Sequence, residues 1–233
     1  MKKIIDISYA QGELVRIPYK CDGVIVRCGY RGYGAVGTLQ EDSRWQQNLK
    51  LAMDSGKLFG VYFFSQAITP KEGKEEADFA LALMDAAEIP KNIPLWIDTE
   101  ESAGYPNGRA DKLDRQKRTA AISGFLSRVR QDGRPVGVYC SESWYSNNLF
   151  AEQLKDASGY WWIAQYSREP KIPYSIWQYG LENLDGIDMD VNHCPDSAFE
   201  KIMGTDTETA EYWEEKYLTL RAEVEQLLKK YKE

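Results

Sequence analysis

Apolar residues along this chain recur in short runs separated by polar and helix-like stretches. Eight runs read as strands, at residues 3–8, 23–30, 59–66, 94–100, 135–141, 160–166, 175–179 and 186–191. Most are nearly continuous in apolar residues, as expected of strands covered on both faces. Between the early runs the apolar residues fall at helical spacing. Residues 42–56 carry Trp45, Leu49, Ala52 and Met53 on one face, and 70–87 carry Ala77, Ala80, Leu81 and Met84. Residues 111–132 carry Ala120, Ile122, Phe125, Leu126 and Val129 and end at Gly133-Arg134-Pro135, a helix stop followed by a strand start. Residues 143–157 form a shorter fourth helical stretch. The last strands follow one another with too little chain for full helices. The alternation predicts an α/β fold, an irregular (β/α) barrel of eight strands and about five helices over residues 1–203.

From about residue 204 the pattern changes. Trp213, Tyr217, Leu220, Val224, Leu227 and Tyr231 alternate at spacings of four and three, the seam of a coiled coil. Acids gather early in this tail and lysines late, which suits a helix dipole. Residues 204–233 are therefore expected to form one C-terminal helix. Packing on its own barrel, self-association into a homo-oligomer and a stalk toward a further module all remain open for it.

Composition narrows the classes. With 233 residues the chain is the size of one barrel plus an appendage. No apolar run approaches the roughly 20 residues that cross a bilayer, so no membrane span is expected. Met1-Lys2-Lys3 mimics the start of a signal peptide, but Asp6 interrupts the apolar stretch at once. We therefore expect synthesis in the cytoplasm without a signal peptide. A net charge of −7 and a pI near 5.0 argue against nucleic acid as a partner. The four cysteines (Cys21, Cys28, Cys140, Cys194) are scattered and there is a single histidine, His193. No metal site or cofactor is expected, and the thiols read as reduced and mostly buried.

In a parallel barrel the C-terminal ends of the strands form the floor of the active site. Carboxylates sit at such places: Asp6, Asp98 with Glu100, and Asp188 with Asp190. A charge that interrupts an apolar run is costly unless it faces a wet cleft or a partner. Asp98 and Glu100 are two apart on an extended segment, so they share a face with Cα atoms roughly 6.5–7 Å apart. Their mutual repulsion raises one pKa, which is how a glutamate holds a proton near neutrality and delivers it to a glycosidic oxygen. Aromatic residues cluster at the same ends: Tyr30, Tyr62, Phe64, Tyr139, Trp162, Tyr166, Trp177 and Tyr179. Sugars stack on such rings, and Gln165 and Gln178 offer polar partners for hydroxyls; barrel packing accounts for a share of these aromatics. Alternation prevents neighbours such as Trp161 and Trp162 from both facing a cleft.

Two motifs point elsewhere. Residues 32–37 fit GxGxxG after a predicted strand, yet the next strand ends without an acid for a ribose hydroxyl, and the helix starts only near Asp42. This reads as a loop at the cleft. His193 follows the last strand and reads as exposed or locally bonded. No GxSxG and no Cys/His pairing support acyl transfer.

The strand-end residues resemble the glycoside hydrolase family 25 lysozymes, the muramidases of phage endolysins and bacterial wall hydrolases. The resemblance runs from Asp6 to about Val191. It rests on Ile5-Asp6-Ile7-Ser8-Tyr9-Ala10-Gln11-Gly12, Gly23-Val24-Ile25-Val26-Arg27-Cys28-Gly29-Tyr30 and Gly60-Val61-Tyr62-Phe63-Phe64-Ser65. It continues through Trp96-Ile97-Asp98-Thr99-Glu100, Gly137-Val138-Tyr139, Trp162-Ile163-Ala164-Gln165-Tyr166, Trp177-Gln178-Tyr179 and Ile187-Asp188-Met189-Asp190.

The resemblance implies hydrolysis of the β-1,4 bond from N-acetylmuramic acid to N-acetylglucosamine in bacterial peptidoglycan. Glu100 would be the acid/base and Asp98, Asp6 and Asp188 the other catalytic acids. Asp190 falls where the family often has Asn and is assigned structure. Substrate binding is expected at Tyr30, Tyr62, Phe64, Tyr139, Trp162, Gln165, Tyr166, Trp177 and Gln178. The acetamido group makes substrate-assisted retention available, with Asp98 orienting it, while the strand positions alone leave retaining and inverting outcomes open. The enzyme would reach the wall after release from the cell. A chitinase-like or endo-N-acetylglucosaminidase activity, an inactive glycan-binding barrel and an oligomerising adaptor are the competing readings. The longer Asp-rich signature of the chitinase type is missing, since Trp96 and Ile93 hold its upstream positions.

Overall fold

The computed structural model describes residues 1–102 and 108–204, and within the tail residues 217–219, 221–222, 224–225 and 228. Strand β1 (Lys2–Ile7) leads through a 3₁₀ turn (Tyr9–Gln11) to β2 (Gly23–Arg31), which folds back on the short β3 (Leu39–Glu41). Then α1 (Trp45–Asp54), β4 (Leu58–Phe64), α2 (Pro70–Ala86), β5 (Leu95–Asp98), α3 (Arg115–Asp132) and β6 (Val136–Ser141) alternate. Two short helices follow, α4 (Glu142–Asn148) and α5 (Ala151–Leu154), and then β7 (Tyr160–Ala164), β8 (Ile176–Leu184), β9 (Ile187–Cys194) and α6 (Asp196–Met203).

The strands run in the order β1-β9-β8-β7-β6-β5-β4-β2, and β1 pairs with β2 to close an eight-stranded barrel with β3 as an extra strand on β2. All barrel pairings are parallel except those of β9, which is antiparallel to both β8 and β1. Only a tight turn separates β8 from β9, too short for the crossover that a parallel pair needs. This hairpin overshoots the barrel rim, and it moves the acids of β9 relative to their expected height.

Two apolar layers hold the barrel. The outer one packs Trp45, Leu81, Met84, Phe125 and Leu126 from α1, α2 and α3 against Val24, Val61, Ile97 and Val138. The inner one stacks Ile4, Ile25, Trp96 and Trp162 inside the barrel, and Phe199, Ile202 and Met203 of α6 join it. Trp96 is fully buried and fits because glycine stands at two facing positions. A Cβ on Gly60 or on Gly137 would lie 2.4 Å from its ring. Thr69 caps α2 ahead of Pro70, Asp114 caps α3, and Gly133 ends α3 at φ 88°.

The expected helix over 143–157 is broken into α4 and α5, because Leu149 adopts extended backbone between them. Residues 32–37 form the turn of the β2–β3 hairpin, with Gly37 N–H donating to Gly34 and Gly32 N–H to Thr38. A strand, not a helix, follows, so this glycine loop has no helix N-terminus to offer a phosphate. All four cysteines are buried and free. Among the described residues no helix is long and apolar enough to cross a membrane. In the tail, the described positions from 217 to 228 are helical and exposed; Trp213, Leu220, Leu227 and Tyr231 of the expected seam lie outside the described residues.

Candidate active site

At the C-terminal end of the parallel strands lies a cleft of about 280 Å³ lined by Asp6, Tyr9, Arg27, Tyr33, Tyr62, Phe64, Asp98, Glu100, Tyr139, Trp162, Tyr166, Gln178 and Asp190. Asp98 is the last residue of β5. Beyond it the Thr99 N–H still donates to Tyr139 O at 3.0 Å, so the chain stays extended and Glu100 keeps the parity of Asp98. Asp6 sits on β1 directly opposite Asp190 of β9. Four carboxyl groups from three strands thus converge on one volume. Among the described residues no three acidic, His or Cys side chains are grouped as a metal ion requires.

Burial raises every one of these acids, and for Asp6, Asp98 and Glu100 the repulsion of a neighbouring carboxylate adds to it. Glu100 is pushed up to about 7, first by burial and then by the Asp190 charge, with Arg27 and Tyr139 opposing. Asp6 is pushed up to about 8 by burial and by Asp190, against hydrogen bonds from Asn192 and Gln178. Asp98 rises well above the usual carboxylate range through burial, Glu100 and Asp6, with Arg27 opposing. Burial raises Asp190 as well. Asp6 and Glu100 are thereby shifted toward keeping their protons near neutral pH.

Arg27 is the counter-charge. It is buried, its Nε donates to Asp42 Oδ2 at 2.7 Å, and its guanidinium lies 4.7 Å from the Tyr9 ring and 5.7 Å from the Tyr30 ring. Asp42 itself is fixed by the N–H groups of Tyr9 and Arg44. The floor is set by a polar chain: Trp162 Nε1 donates to Asn192 Oδ1 at 2.6 Å, and Asn192 Nδ2 to Asp6 Oδ2 at 2.9 Å. Gln178 Nε2 donates to the same oxygen at 3.2 Å. Aromatic walls stand around these groups. Tyr139 and Tyr62 meet Trp162 at 4.6 and 5.9 Å between ring centroids, and Tyr33 meets Phe64 at 5.8 Å. Beside the cleft, Arg109 forks onto Glu72 at 2.8 and 2.9 Å and ties the loop after Glu100 to the start of α2.

The sequence profile of glycosyl hydrolases family 25 matches residues 5–185. The chain belongs to this family. Among solved structures it is similar to the modular autolysin LytC from Streptococcus pneumoniae, solved in complex with a synthetic peptidoglycan ligand. That likeness has a TM-score of 0.70 and 25% identity over 82% of this chain and 46% of that one. It also shares its fold with a bacterial lysozyme from Streptomyces coelicolor, at a TM-score of 0.67 and 20% identity over 87% of this chain and 96% of that one. Lysozyme-like protein 7 of Caenorhabditis elegans is 24% identical over 111 residues, 48% of this chain and 37% of the relative. The chain thus spans less than half the length of the autolysin and of the nematode relative.

In this family 25 hydrolase, Asp6, Asp98, Glu100, Tyr62, Phe64, Tyr139, Trp162, Tyr166 and Gln178 come together as expected from sequence. Asp188 does not. It is exposed beyond the barrel rim, opposite Asn183 in the overshooting hairpin, and accepts from Asn183 Nδ2 at 2.9 Å. Asp190, assigned to structure from the sequence, lines the cleft in its place.

Trp177 and Gln165 also face away. Trp177 Nε1 donates to Gln165 O at 2.7 Å while its ring packs against Tyr174, Tyr179 and His193. Gln165 Nε2 donates to Glu142 Oε2 at 2.7 Å. Alternation forces this, because Gln178 and Tyr166 take the inward positions next to them. Tyr30 stands outside the lining set, stacked near Tyr33 and donating to Gln40 Oε1 at 3.2 Å. Arg27, Asn192, Tyr9 and Tyr33 were not nominated from sequence. A lone arginine in Gly23-Val24-Ile25-Val26-Arg27 carries the same signal as the lone acids. Asn192 and the two tyrosines carry none.

Proposed function

We propose that this family 25 hydrolase cleaves the β-1,4 bond from N-acetylmuramic acid to N-acetylglucosamine in bacterial peptidoglycan, with Glu100 as general acid and then base. The observation that carries this reading is a glutamate whose pKa is pushed up to about 7 by burial and a facing aspartate, set in an aromatic-walled cleft at the mouth of the barrel. A carboxyl that holds its proton at neutral pH can give it to a leaving oxygen and take one from water afterwards. The similar autolysin, solved in complex with a synthetic peptidoglycan ligand, supports the choice of polymer.

In the first step Glu100 gives its proton to the glycosidic oxygen as the bond to C1 breaks. The acetamido oxygen of the same sugar closes on C1, and no protein atom bonds to the sugar. In the second step the Glu100 carboxylate takes a proton from water, whose oxygen attacks C1 and reopens the ring with retained configuration. In this reading Asp98 steers the acetamido group. Its Oδ1 is buried without a hydrogen-bond partner among the described residues, and an acetamido N–H is a donor that fits such an oxygen. That bond, with Arg27 nearby, favours the ionised form of Asp98 once substrate has entered.

The test is digestion of purified Gram-positive peptidoglycan with the wild type and with Glu100→Gln, followed by borohydride reduction and mass spectrometry of the new ends. Reduced muramic acid ends that vanish in the variant are the expected result. Reduced glucosamine ends would replace the reading with an endo-N-acetylglucosaminidase. No new ends from any wall would leave a glycan-binding barrel.

A further inference from the structure

The glycine-rich turn at residues 32–37 is shaped by an arginine. A Cβ on Gly34 would meet nothing within 4 Å, and one on Gly32 nothing nearer than 3.4 Å. One on Gly37, which is buried at φ 59°, would lie 2.6 Å from the Arg109 guanidinium. The last glycine of the motif therefore leaves room for Arg109 to lie against the turn.

Arg109 is itself fixed. Its Nη1 donates to Glu72 Oε2 at 2.8 Å and to Gln66 O at 3.1 Å, and its Nη2 to Glu72 Oε1 at 2.9 Å. Its backbone N–H donates to Tyr33 O at 3.0 Å. A second arginine holds the end of the turn. Arg31 Nη1 donates to Gly37 O at 2.9 Å, while its Nε reaches the buried Glu76 at 2.9 Å and its Nη2 reaches Glu72 O at 3.0 Å. Both arginines thus end on α2, and a planar guanidinium holding several acceptors loses little freedom for each bond it makes. The turn is clamped to a helix of the barrel wall, although its tip at Gly34, Ala35 and Val36 is exposed.

What the clamp carries into the cleft is Tyr33. Its ring meets Phe64 edge-on at 5.8 Å between centroids, and its hydroxyl feels the charges of Arg27 and Asp98. Tyr33 therefore borders the part of the cleft that holds Asp98. An aromatic wall beside a polar anchor suits a sugar, which presents an apolar C–H face and polar substituents around it.

We propose that Tyr33 is a substrate-binding residue, the platform for the sugar whose acetamido group meets Asp98, and that Arg109 is the positioning residue that holds this platform in place. This rests on the peptidoglycan reading and adds a wall of the cleft, with the clamp that sets it.

Position and binding are measured separately. Protein carrying 3-fluorotyrosine is observed by fluorine NMR without substrate, with the Tyr33 line assigned by its loss in Tyr33→Phe. Arg109→Met keeps an unbranched stem and removes the fork, so the Tyr33 line shifts or splits while the lines of Tyr145 and Tyr160, on other elements, hold. If that variant fails to fold, Gly37→Ala disturbs the same contact from the turn and moves the same line. A Tyr33 line that stays in place overturns the clamp.

On soluble peptidoglycan strands, Tyr33→Ala raises KM about tenfold, as for one lost aromatic contact. Arg109→Met raises it severalfold. Both losses fall on KM rather than kcat, because the platform meets the sugar alike before and during bond breaking. The double variant is no worse than Tyr33→Ala, since Arg109 acts through that ring. Additive losses, or a loss confined to kcat, overturn the proposal. A wild type that releases no new ends sinks the peptidoglycan reading and the platform with it, while the fluorine lines still decide the clamp.

Discussion

Asp190 and Asp188 stand two residues apart on one strand, yet only Asp190 faces Glu100, and a pH profile separates them. Burial and the Asp190 charge push the Glu100 carboxyl from 4.5 to about 7. At about 1.4 kcal/mol per pH unit this is about 3 kcal/mol. Burial is the larger cause and the Asp190 charge the second, against Arg27 and Tyr139, so the Asp190 share is taken as on the order of one pH unit. Asp190→Asn keeps the size of the side chain and removes the charge. As the proposed acid, Glu100 works only while protonated, so kcat/KM is expected to fall as pH rises through its pKa. Without the Asp190 charge that pKa drops, and the alkaline limb of the profile moves about one pH unit lower. Asp188→Asn changes an exposed carboxylate bonded to Asn183, and its limb stays with the wild type. The assay is release of soluble glycan fragments from peptidoglycan across the neutral range. A limb unmoved by Asp190→Asn, or moved by Asp188→Asn, refutes the reasoning.

The raised acids also tax folding. Because the Glu100 pKa is raised on folding, its contribution to stability is present below about pH 4 and lost as pH rises through about 7. Glu100→Gln therefore melts higher than the wild type at about pH 8, by up to about 3 kcal/mol, and the two converge near pH 4; a gap independent of pH would count against it. Arg27→Met strands the buried Asp42 with only two backbone donors and costs about 3 kcal/mol in urea unfolding, so an unchanged midpoint would contradict the buried pair. Gly60→Ala drives a Cβ to 2.4 Å from Trp96 and costs about 1–3 kcal/mol by thermal melt. The loss shrinks in a Trp96→Phe background if the clash is the cause.

Much of this protein was legible in one dimension. Apolar runs marked the eight barrel strands because strands covered on both faces must be apolar along their length. Asp98 and Glu100 could be placed on one face because side chains alternate along extended chain, and the acids that interrupt apolar runs pointed to a cleft because an uncompensated charge cannot stay buried. The extra strand β3 was invisible, since Leu39–Glu41 pairs only with β2 and carries no apolar run of its own.

What tertiary structure alone decided was height along the barrel. Alternation gives the face a residue points to, and Asp188, Asp190 and Asn192 share that parity on β9. Pairing with β1 sets Asp190 level with Asp6 and Asn192 level with Ile4, while Asp188 is carried past the rim with the hairpin. That register is a contact between residues more than 180 positions apart, and no local pattern encodes it. The same holds for the chain from Trp162 through Asn192 and Gln178 to Tyr139, whose members come from β7, β9, β8 and β6. The sequence names the groups that can donate and accept, and only the closed barrel decides which of them meet.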